Sequence, residues 1–367
     1  MRTVVYIPNA TNGVNTVLRN IVWDRDGKDE ILYFNTIYGA CGKTIEYICE
    51  ANHDIVRARE VHIRYPMEDA DLLAVFKGAI KASRSEGKTP RVAIFDTVSS
   101  LPGVRMPFES LTAICKEEGV LSLIDGAHGI GHISLDLSAL DPDFFVSNCH
   151  KWLFVPRGVA VFYVPERNQH LIRSTLPTSH GFVPRAGAAV GAANPLPVGD
   201  NSAYVQNFEF VGTIDNSNYL VISDAIKWRE KVCGGEKAIR EYNTKLAQEG
   251  GKAIARILGT EVMDNSTKTL TNCCLVNIRL PLTASPIKIP GVNTIDPVHG
   301  MTATQWMQRR LVEEYKTFIA IYFFQNQWWT RLSGQVYLDI SDFEWAGQKL
   351  KEICERAGKE SFEKAKM

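Results

Sequence analysis

Through the first 165 residues, short apolar runs rich in Val, Ile and Phe alternate with segments whose apolar positions recur at helical spacing. The runs predict strands at Thr3 to Ile7, Glu30 to Phe34, Ile55 to Arg64, Arg91 to Phe95, Gly119 to Ile124, Phe144 to Ser147 and Val159 to Val164. The segments between them predict helices at Asn12 to Val22, Gly39 to Asn52, Asp69 to Glu86 and Phe108 to Glu118. Such alternation is the signature of a sheet with crossover helices. The strands carry few polar positions, as strands do when both faces are covered. The expectation is an α/β domain with a mostly parallel, seven-stranded sheet covered by helices.

The stretch from Gly181 to Ala203 is rich in Gly, Ala and Pro with almost no charge, and is expected to be a long loop of the kind that carries function. Helices are predicted at Asn216 to Arg229 and Glu236 to Leu258, the second long enough to leave the first domain. Then come a strand (Cys273 to Arg279), a helix (Thr302 to Lys316), two strands (Phe318 to Phe324, Trp329 to Leu338) and a terminal helix (Ser341 to Lys364), a smaller α+β unit. The expected domains are therefore 1–258 and 259–367.

Charge and composition narrow the function classes. Of 367 residues, 45% are hydrophobic and 22% charged, and 41 basic residues balance 41 acidic ones. A neutral chain without a local basic patch is not expected to bind nucleic acid or a membrane surface. Its longest apolar runs fall far below the ~20 residues of a membrane span, and its first residues lack a charged-then-apolar signal pattern. The eight cysteines follow no repeating interval and include no C-x-x-C pair. They read as reduced, buried thiols of a cytoplasmic protein, with no disulfide frame and no metal site.

Two segments carry candidate chemistry. Val120 to Asp125 is an apolar strand ending in a carboxylate, followed by Gly126, Ala127 and His128; Phe144 to Ser147 is a second one, running into Asn148, Cys149, His150, Lys151 and Trp152. The C-terminal edge of an open α/β sheet is where ligands bind. A lysine and a carboxylate on neighbouring strand ends suit pyridoxal phosphate, which needs an amine to form a Schiff base and an acid to keep its pyridine nitrogen protonated. Pro8 to Gly13, small and polar between a strand and a helix, offers backbone N–H groups to a phosphate. On spacing alone, Asp125 and Lys151 are equally compatible with an unrelated strand-end carboxylate and a solvated lysine.

The residues Ile124 to His132, followed by Asp143 to Trp152 and by Arg157 and Gly158, resemble the core of the class V aminotransferase-fold enzymes, the fold type I pyridoxal 5'-phosphate (PLP) group that holds cysteine desulfurases and isopenicillin N epimerase. The resemblance runs from about Val4 to Leu338, with several motifs in the family's order. It implies that Lys151 is the Schiff-base lysine, Asp125 the partner of the pyridine nitrogen, and His128 a neighbour of the cofactor's phenolic oxygen. Ala10, Thr11, Asn12, Ser147 and His150 fall where the family contacts the phosphate. Thr213, after Phe210, Val211 and Gly212, resembles a threonine that reaches the phosphate of the other subunit, so a homodimer with its active site at the subunit interface is implied. Tyr38 falls where a ring covers the cofactor, and Arg331 matches the arginine that takes the substrate's α-carboxylate. His180 lies before the long loop and is a candidate for the substrate pocket.

Each assignment has a plainer rival: a structural ion pair for Arg331, packing for Tyr38, a turn cap for His150. Asp96 ends another strand at the same edge without an assigned task, and His132 reads as structural.

The implied reaction class begins with loss of a proton from Cα of an amino acid, and fold and cofactor do not choose the step after it. A cysteine desulfurase needs a thiolate on a mobile loop, whereas Cys273 and Cys274 lie on an apolar strand and Cys354 on the terminal helix. Asn9 to Asn20, Tyr38 to Thr44 and Pro177 to Pro184 are similar to the fungal hercynylcysteine sulfoxide lyases of ergothioneine biosynthesis and their relatives in secondary metabolism. That similarity implies cleavage of a Cβ–S bond in a cysteine-derived sulfoxide, with release of pyruvate and ammonia. Epimerisation, Cα C–C bond formation and a non-catalytic paralogue are the alternatives. Family members have several dozen residues before the phosphate-binding threonine; here Thr11 comes almost at once, so a truncated or misplaced start is expected.

Overall fold

The computed structural model describes residues 2–184 and 200–362. The expected loop at Gly181 to Ala203 falls largely on residues 185–199, outside the described residues, as do positions 363–364 of the expected terminal helix. The chain divides into two compact units: 1–63, 69–99 and 106–231 form the first; 64–68, 100–105 and 232–367 form the second.

In the first unit the elements are β1 (Val4–Ile7), α1 (Ala10–Asn20), β2 (Asp29–Phe34), α2 (Gly39–Ala51), β3 (Val56–Val61), α3 (Asp69–Ser85), β4 (Thr89–Asp96), α4 (Phe108–Glu118), β5 (Leu121–Asp125), α5 (Leu137–Leu140), β6 (Phe144–Asn148), α6 (Cys149–Trp152), β7 (Ala160–Tyr163), α7 (Ala203–Glu209), α8 (Ser217–Leu220) and α9 (Ile222–Cys233). The seven strands make one sheet in the order β1-β7-β6-β5-β4-β2-β3. The five from β6 to β3 are parallel, and β7 runs antiparallel to both β6 and β1. Continuous apolar runs build its centre: Val92 to Phe95, Leu123, Ile124 and Phe144 to Val146 are all buried. The edge strand β3 is shorter than the apolar run that predicts it, because its single partner β2 is six residues long and the ladder ends with it.

Helix α1 starts where Asn9 caps it, the side chain accepting the N–H of Asn12. Its buried stripe of Val14, Val17 and Leu18 lies on the sheet, and Gly13 permits the approach: a Cβ there would sit 2.4 Å from Val146 Cγ1. The expected helix at Asn216 to Arg229 is split into α8 and α9 at Val221.

The second unit holds α10 (Gly235–Leu258), β8 (Leu275–Arg279), β9 (Thr283–Ala284), β10 (Thr294–Ile295), α11 (Gly300–Tyr315), β11 (Ala320–Phe324), β12 (Gln327–Ser333) and α12 (Ile340–Ala357). Strands β11, β12 and β8 form an antiparallel sheet. The division falls after residue 231, not after Leu258 as the sequence suggests. The reason is packing: Leu246, Ala247, Ile254 and Leu258 of α10 share one core with Val276, Phe343 and Leu350. Among the described residues, no helix is long and apolar enough to cross a membrane.

One buried cation braces the first unit. Arg229 of α9 is fully buried, its Nη1 donating to the carbonyl of Trp152 (2.7 Å) and its Nη2 to that of Gly131 (3.2 Å), with the guanidinium over the Phe154 ring. Replacing Arg229 with Met keeps apolar bulk but strips both carbonyls of this donor. Arg229→Met is expected to destabilise the protein by about 2–4 kcal/mol, read from the denaturant midpoint; an unchanged midpoint would show that water replaces the guanidinium there.

Candidate active site

Three parallel strands end side by side in polar residues: Asp96 on β4, Asp125 on β5 and Asn148 on β6. Asp96 and Asp125 are register partners, and both are buried. Two like charges at the ~5 Å strand spacing repel by about 3 kcal/mol at an effective dielectric of ~20, so the pair does not ionise as two independent acids. Asp125 is the better supplied: Oδ1 accepts the Ala127 N–H (2.9 Å) and Oδ2 the Cys41 thiol (3.4 Å). Asp96 makes no side-chain hydrogen bond among the described residues. Burial pushes both carboxyls up, Asp96 strongly because the Asp125 charge adds to it, while the Ala127 N–H, Lys151 and Cys41 oppose the rise at Asp125. Asp125 is thus the member held nearer its ionised form, and Asp96 the one pushed further toward the protonated form.

Lys151 stands on α6, the single turn that follows β6 directly. Its Nζ lies 3.0 Å from Nε2 of His128, and the other ring nitrogen of His128 accepts the indole N–H of Trp152 at 3.0 Å. His132 stacks on Trp152 with ring centroids 4.0 Å apart and bonds through Nδ1 to the His128 carbonyl. The turn from Gly126 to His132 exists in this form because glycines allow it. A Cβ on Gly126 would meet the Phe145 ring at 2.6 Å, and Gly131 has φ +75° with Trp152 O 2.6 Å from where its Cβ would be.

Several residues expected at a phosphate are otherwise engaged. The fully buried Ser147 hydroxyl donates to Gly126 O and accepts the Ile130 N–H (2.9 Å), so its one proton holds the turn and is not offered to a ligand. His150 Nδ1 lies 2.8 Å from Val159 O, which places the proton on that nitrogen; burial first, then Lys151 and Arg157, holds the ring below the usual imidazole range. A neutral His150 bonded this way is a strut to β7, with only an acceptor left at Nε2. The Ala10 N–H is taken by Asn148 Oδ1 (2.9 Å) and the Asn12 N–H by Asn9 Oδ1 (2.8 Å), while Asn12 Nδ2 reaches Leu176 O. Thr11, by contrast, keeps both its backbone N–H and its hydroxyl without a hydrogen bond among the described residues, at the N-terminus of α1. Its neighbour Ala10 is bonded to Asn148, three residues before Lys151.

Tyr38 is the half-exposed N-cap of α2, the helix whose first turn brings Cys41 to Asp125. Thr213 lies exposed between α7 and α8, and His180 is exposed and stacked on Phe210. Neither enters the hydrogen-bond set around Lys151 described above.

Arg331 belongs to the second unit, on β12. Its Nη1 donates to Ser100 O (2.6 Å), its Nε is buried without a hydrogen bond, and among the described residues no carboxylate lies within ion-pair distance. Burial holds the guanidinium below its usual range. The structural acid that would explain Arg331 away is thus missing. Asn277, across the ladder from Arg331, bonds both the N–H and the carbonyl of Gly103 and fixes the Ser100 to Gly103 segment against which Arg331 packs.

Sequence reasoning missed Cys41, Asn148 and Trp152 as members of the site. Trp152 adjoins Lys151 in the chain; Cys41 and Asn148 carry no local signal.

A lysine, a buried carboxylate and an open helix N-terminus at one edge of a parallel sheet define a site for an aromatic cofactor that carries an aldehyde and an anionic group. The aminotransferase class-V family model matches residues 1–285, and the chain belongs to that family, whose cofactor is pyridoxal 5'-phosphate. The chain is 40% identical to the L-cysteine desulfhydrase-like protein lolT1 of Epichloe uncinata over 96% of this chain and 80% of that one. It is 31% identical to the hercynylcysteine sulfoxide lyase of Schizosaccharomyces pombe over 96% and 79% of the two chains. The apo cysteine desulfurase of Thermococcus onnurineus NA1 shares the fold, with a TM-score of 0.68 at 17% identity over 97% of this chain and 80% of the other. The residues present fit the cofactor: Asp125 suits a protonated ring nitrogen, Lys151 the aldehyde carbon, and Thr11 the anionic group.

The thiols test the packing of this edge. Burial pushes the thiols of Cys149 and Cys273 up to about 12, and those of Cys41, Cys115 and Cys354 higher still, Asp125 adding to the rise at Cys41. A raised pKa means less thiolate at neutral pH, and less thiolate means slower alkylation. Iodoacetamide at neutral pH is expected to label the native protein only at the two partly exposed thiols, Cys233 and, more slowly, Cys49, whose thiol is pushed up by burial and by Asp54. Rapid labelling of Cys41 in a peptide map would contradict the closed contact with Asp125.

Proposed function

We propose that this chain is a PLP-dependent lyase that cleaves the Cβ–S bond of cysteine conjugates, with an S-oxidised conjugate as the preferred substrate. The C–S lyase class rests on the family and on relatives described as a desulfhydrase-like protein and a sulfoxide lyase. The observation that carries the reading is the state of the thiols. Among the described residues none of the eight cysteines forms a disulfide, and six are buried. Of the two partly exposed ones, Cys49 lies within α2 and Cys233 ends α9. Cys273 and Cys274, expected on a strand, fall in the turn just before β8 and are buried, so no exposed thiol stands on a loop ready to take sulfur as a persulfide. Sulfur therefore leaves with its own substituent.

When bound, PLP supplies an electron sink that stabilises negative charge at the substrate's Cα. The chain's own residues do the rest. Asp125 keeps its negative charge in a buried place and holds a positive ring nitrogen there. Thr11 gives the phosphate an N–H and a hydroxyl at the positive end of α1. Arg331 offers a planar guanidinium without an acidic partner among the described residues, suited to the substrate's carboxylate. The Lys151 amine would be the base that takes the Cα proton. The Cβ–S electrons then leave on sulfur: a conjugate R–S(O)–CH2–CH(NH3+)–COO− plus water gives R–SOH, pyruvate and ammonium. A sulfoxide is the better leaving group than a thioether because its sulfur carries the departing pair on a more acidic product. Thr213, exposed on one chain, serves the phosphate of a second in a homodimer.

With PLP added, the purified protein is expected to be yellow and to form pyruvate from S-alkyl cysteine sulfoxides faster than from L-cysteine. Lys151→Ala is expected to remove the long-wavelength absorbance and to lower turnover by about 10³-fold or more. A colourless protein that PLP does not reconstitute would sink the reading. Solvent deuterium entering Cα without pyruvate would instead point to an epimerase. Separately, Arg331→Lys keeps the charge but loses the planar fork, and is expected to raise KM about tenfold or more with a smaller change in kcat; an unchanged KM would remove Arg331 from substrate binding.

A further inference from the structure

His128 is placed between two groups whose hydrogen-bonding capacities leave it little choice. The indole of Trp152 can only donate, and its N–H points at Nδ1 of His128 over 3.0 Å. A neutral imidazole has one N–H, so with Nδ1 accepting, the proton sits on Nε2. Nε2 is also the atom 3.0 Å from Lys151 Nζ. A protonated Nε2 can only donate, and an ammonium has no lone pair to accept with. Both contacts are therefore satisfied together only when His128 is the Nε2–H tautomer and the Lys151 amine is unprotonated.

We propose that Trp152 is a positioning residue that sets the tautomer of His128. It makes His128 a one-way donor toward the Lys151 amine and, once that amine is engaged elsewhere, toward an acceptor atom on the bound cofactor. The tautomer stands on the hydrogen bonds alone; the second acceptor rests on PLP being the group that binds. His128 is on this account not a base, since its only ring lone pair is occupied by the Trp152 N–H.

The surroundings enforce the arrangement from every side. His132 stacks on the Trp152 ring and ties its own Nδ1 to the His128 carbonyl, so the ring that donates and the backbone that carries the acceptor are held to one another. Arg229 holds the Trp152 carbonyl. The charged and titratable groups that act on the amine include Asp125 from β5, Asp96 from β4, Cys41 of α2 and the adjacent His150 of α6. Asp125, the carboxyl held nearer its ionised form, favours an ammonium. The Trp152 bond opposes that preference, because an ammonium at 3.0 Å would need Nε2 as an acceptor and leave the ring with no proton at all.

The test is nitrogen NMR of the full-length protein carrying isotope-labelled histidine, with His128→Gln used to assign the signals. The wild type is expected to show His128 neutral, with Nδ1 unprotonated and Nε2 protonated, across neutral pH. Trp152→Phe keeps a ring to stack on His132 but has no donor. In that variant both tautomers and an imidazolium are expected at pH values where the wild type shows only the Nε2–H form, and the pH profile of pyruvate formation gains a new limb. Its kcat is expected to fall about tenfold with KM within about twofold. A wild-type proton on Nδ1, a wild-type imidazolium at neutral pH, or a Trp152→Phe spectrum identical to wild type overturns the proposal. The wild-type spectrum decides even if the variant fails to fold, and it is read whether or not the protein proves to be a lyase.

Discussion

A carboxylate buried at the end of a parallel strand has to be given donors, a cation or a proton, and at Asp125 the local structure is arranged around that requirement. The Ala127 N–H in the following turn reaches one oxygen, and the thiol of Cys41, brought by α2, reaches the other. The neighbouring strand ends in a second carboxyl in register, and the repulsion between the two adds to burial in pushing Asp96 toward its protonated form. The sheet thus presents two carboxyls of unequal acidity along the same edge. An ionised Asp125 is what a positively charged ring nitrogen requires, and its partner is kept from adding a second negative charge.

Much of what surrounds that edge is scaffolding for two turns. Ser147 commits its hydroxyl to the Gly126 to Ile130 turn, His132 stacks on Trp152, and Arg229 draws the carbonyls of Gly131 and Trp152 onto one guanidinium. The turn carrying His128 and the turn carrying Lys151 are therefore locked to each other by main-chain and side-chain bonds. A fixed distance between the Lys151 amine and the His128 ring is the kind of preorganisation that a catalytic site requires.

The fold was largely legible because its central strands are buried on both faces, and burial on both faces leaves an apolar run that a sequence cannot hide. Strand ends were legible for the same reason: Asp125 and Lys151 stand out where the run stops. The residues that tune them were not. Cys41 and Asp125 are 84 positions apart, and Ala10 and Asn148 138 apart, so nothing local announces either bond. Ser147 and His150 look alike in sequence to free donors, and only the structure shows that a buried hydroxyl and a ring nitrogen are already committed. The domain boundary was misplaced because the length of α10 says that it can leave the first unit but not where; the pairing of its apolar stripe with β8 and α12 decides that.

Arg331 shows how a side chain's role follows from what it lacks. A guanidinium that is mostly out of water and bonded through Nη1 to a carbonyl has its hydrogen bonding partly met and its charge not met at all. Structural arginines do not have to be left so: Arg59 in the first unit pairs with both Glu30 and Glu86, and its guanidinium rises above its ordinary range, while that of Arg331 falls. The cost of holding an uncompensated charge is tolerable only if something arrives to compensate it. The strap made by Asn277 and Gly103 keeps that cost from being relieved by relaxation, because it prevents the Ser100 segment from moving away and admitting water. An anion that bound there would supply the countercharge that the resting fold leaves unmet, without a further rearrangement of the Ser100 segment.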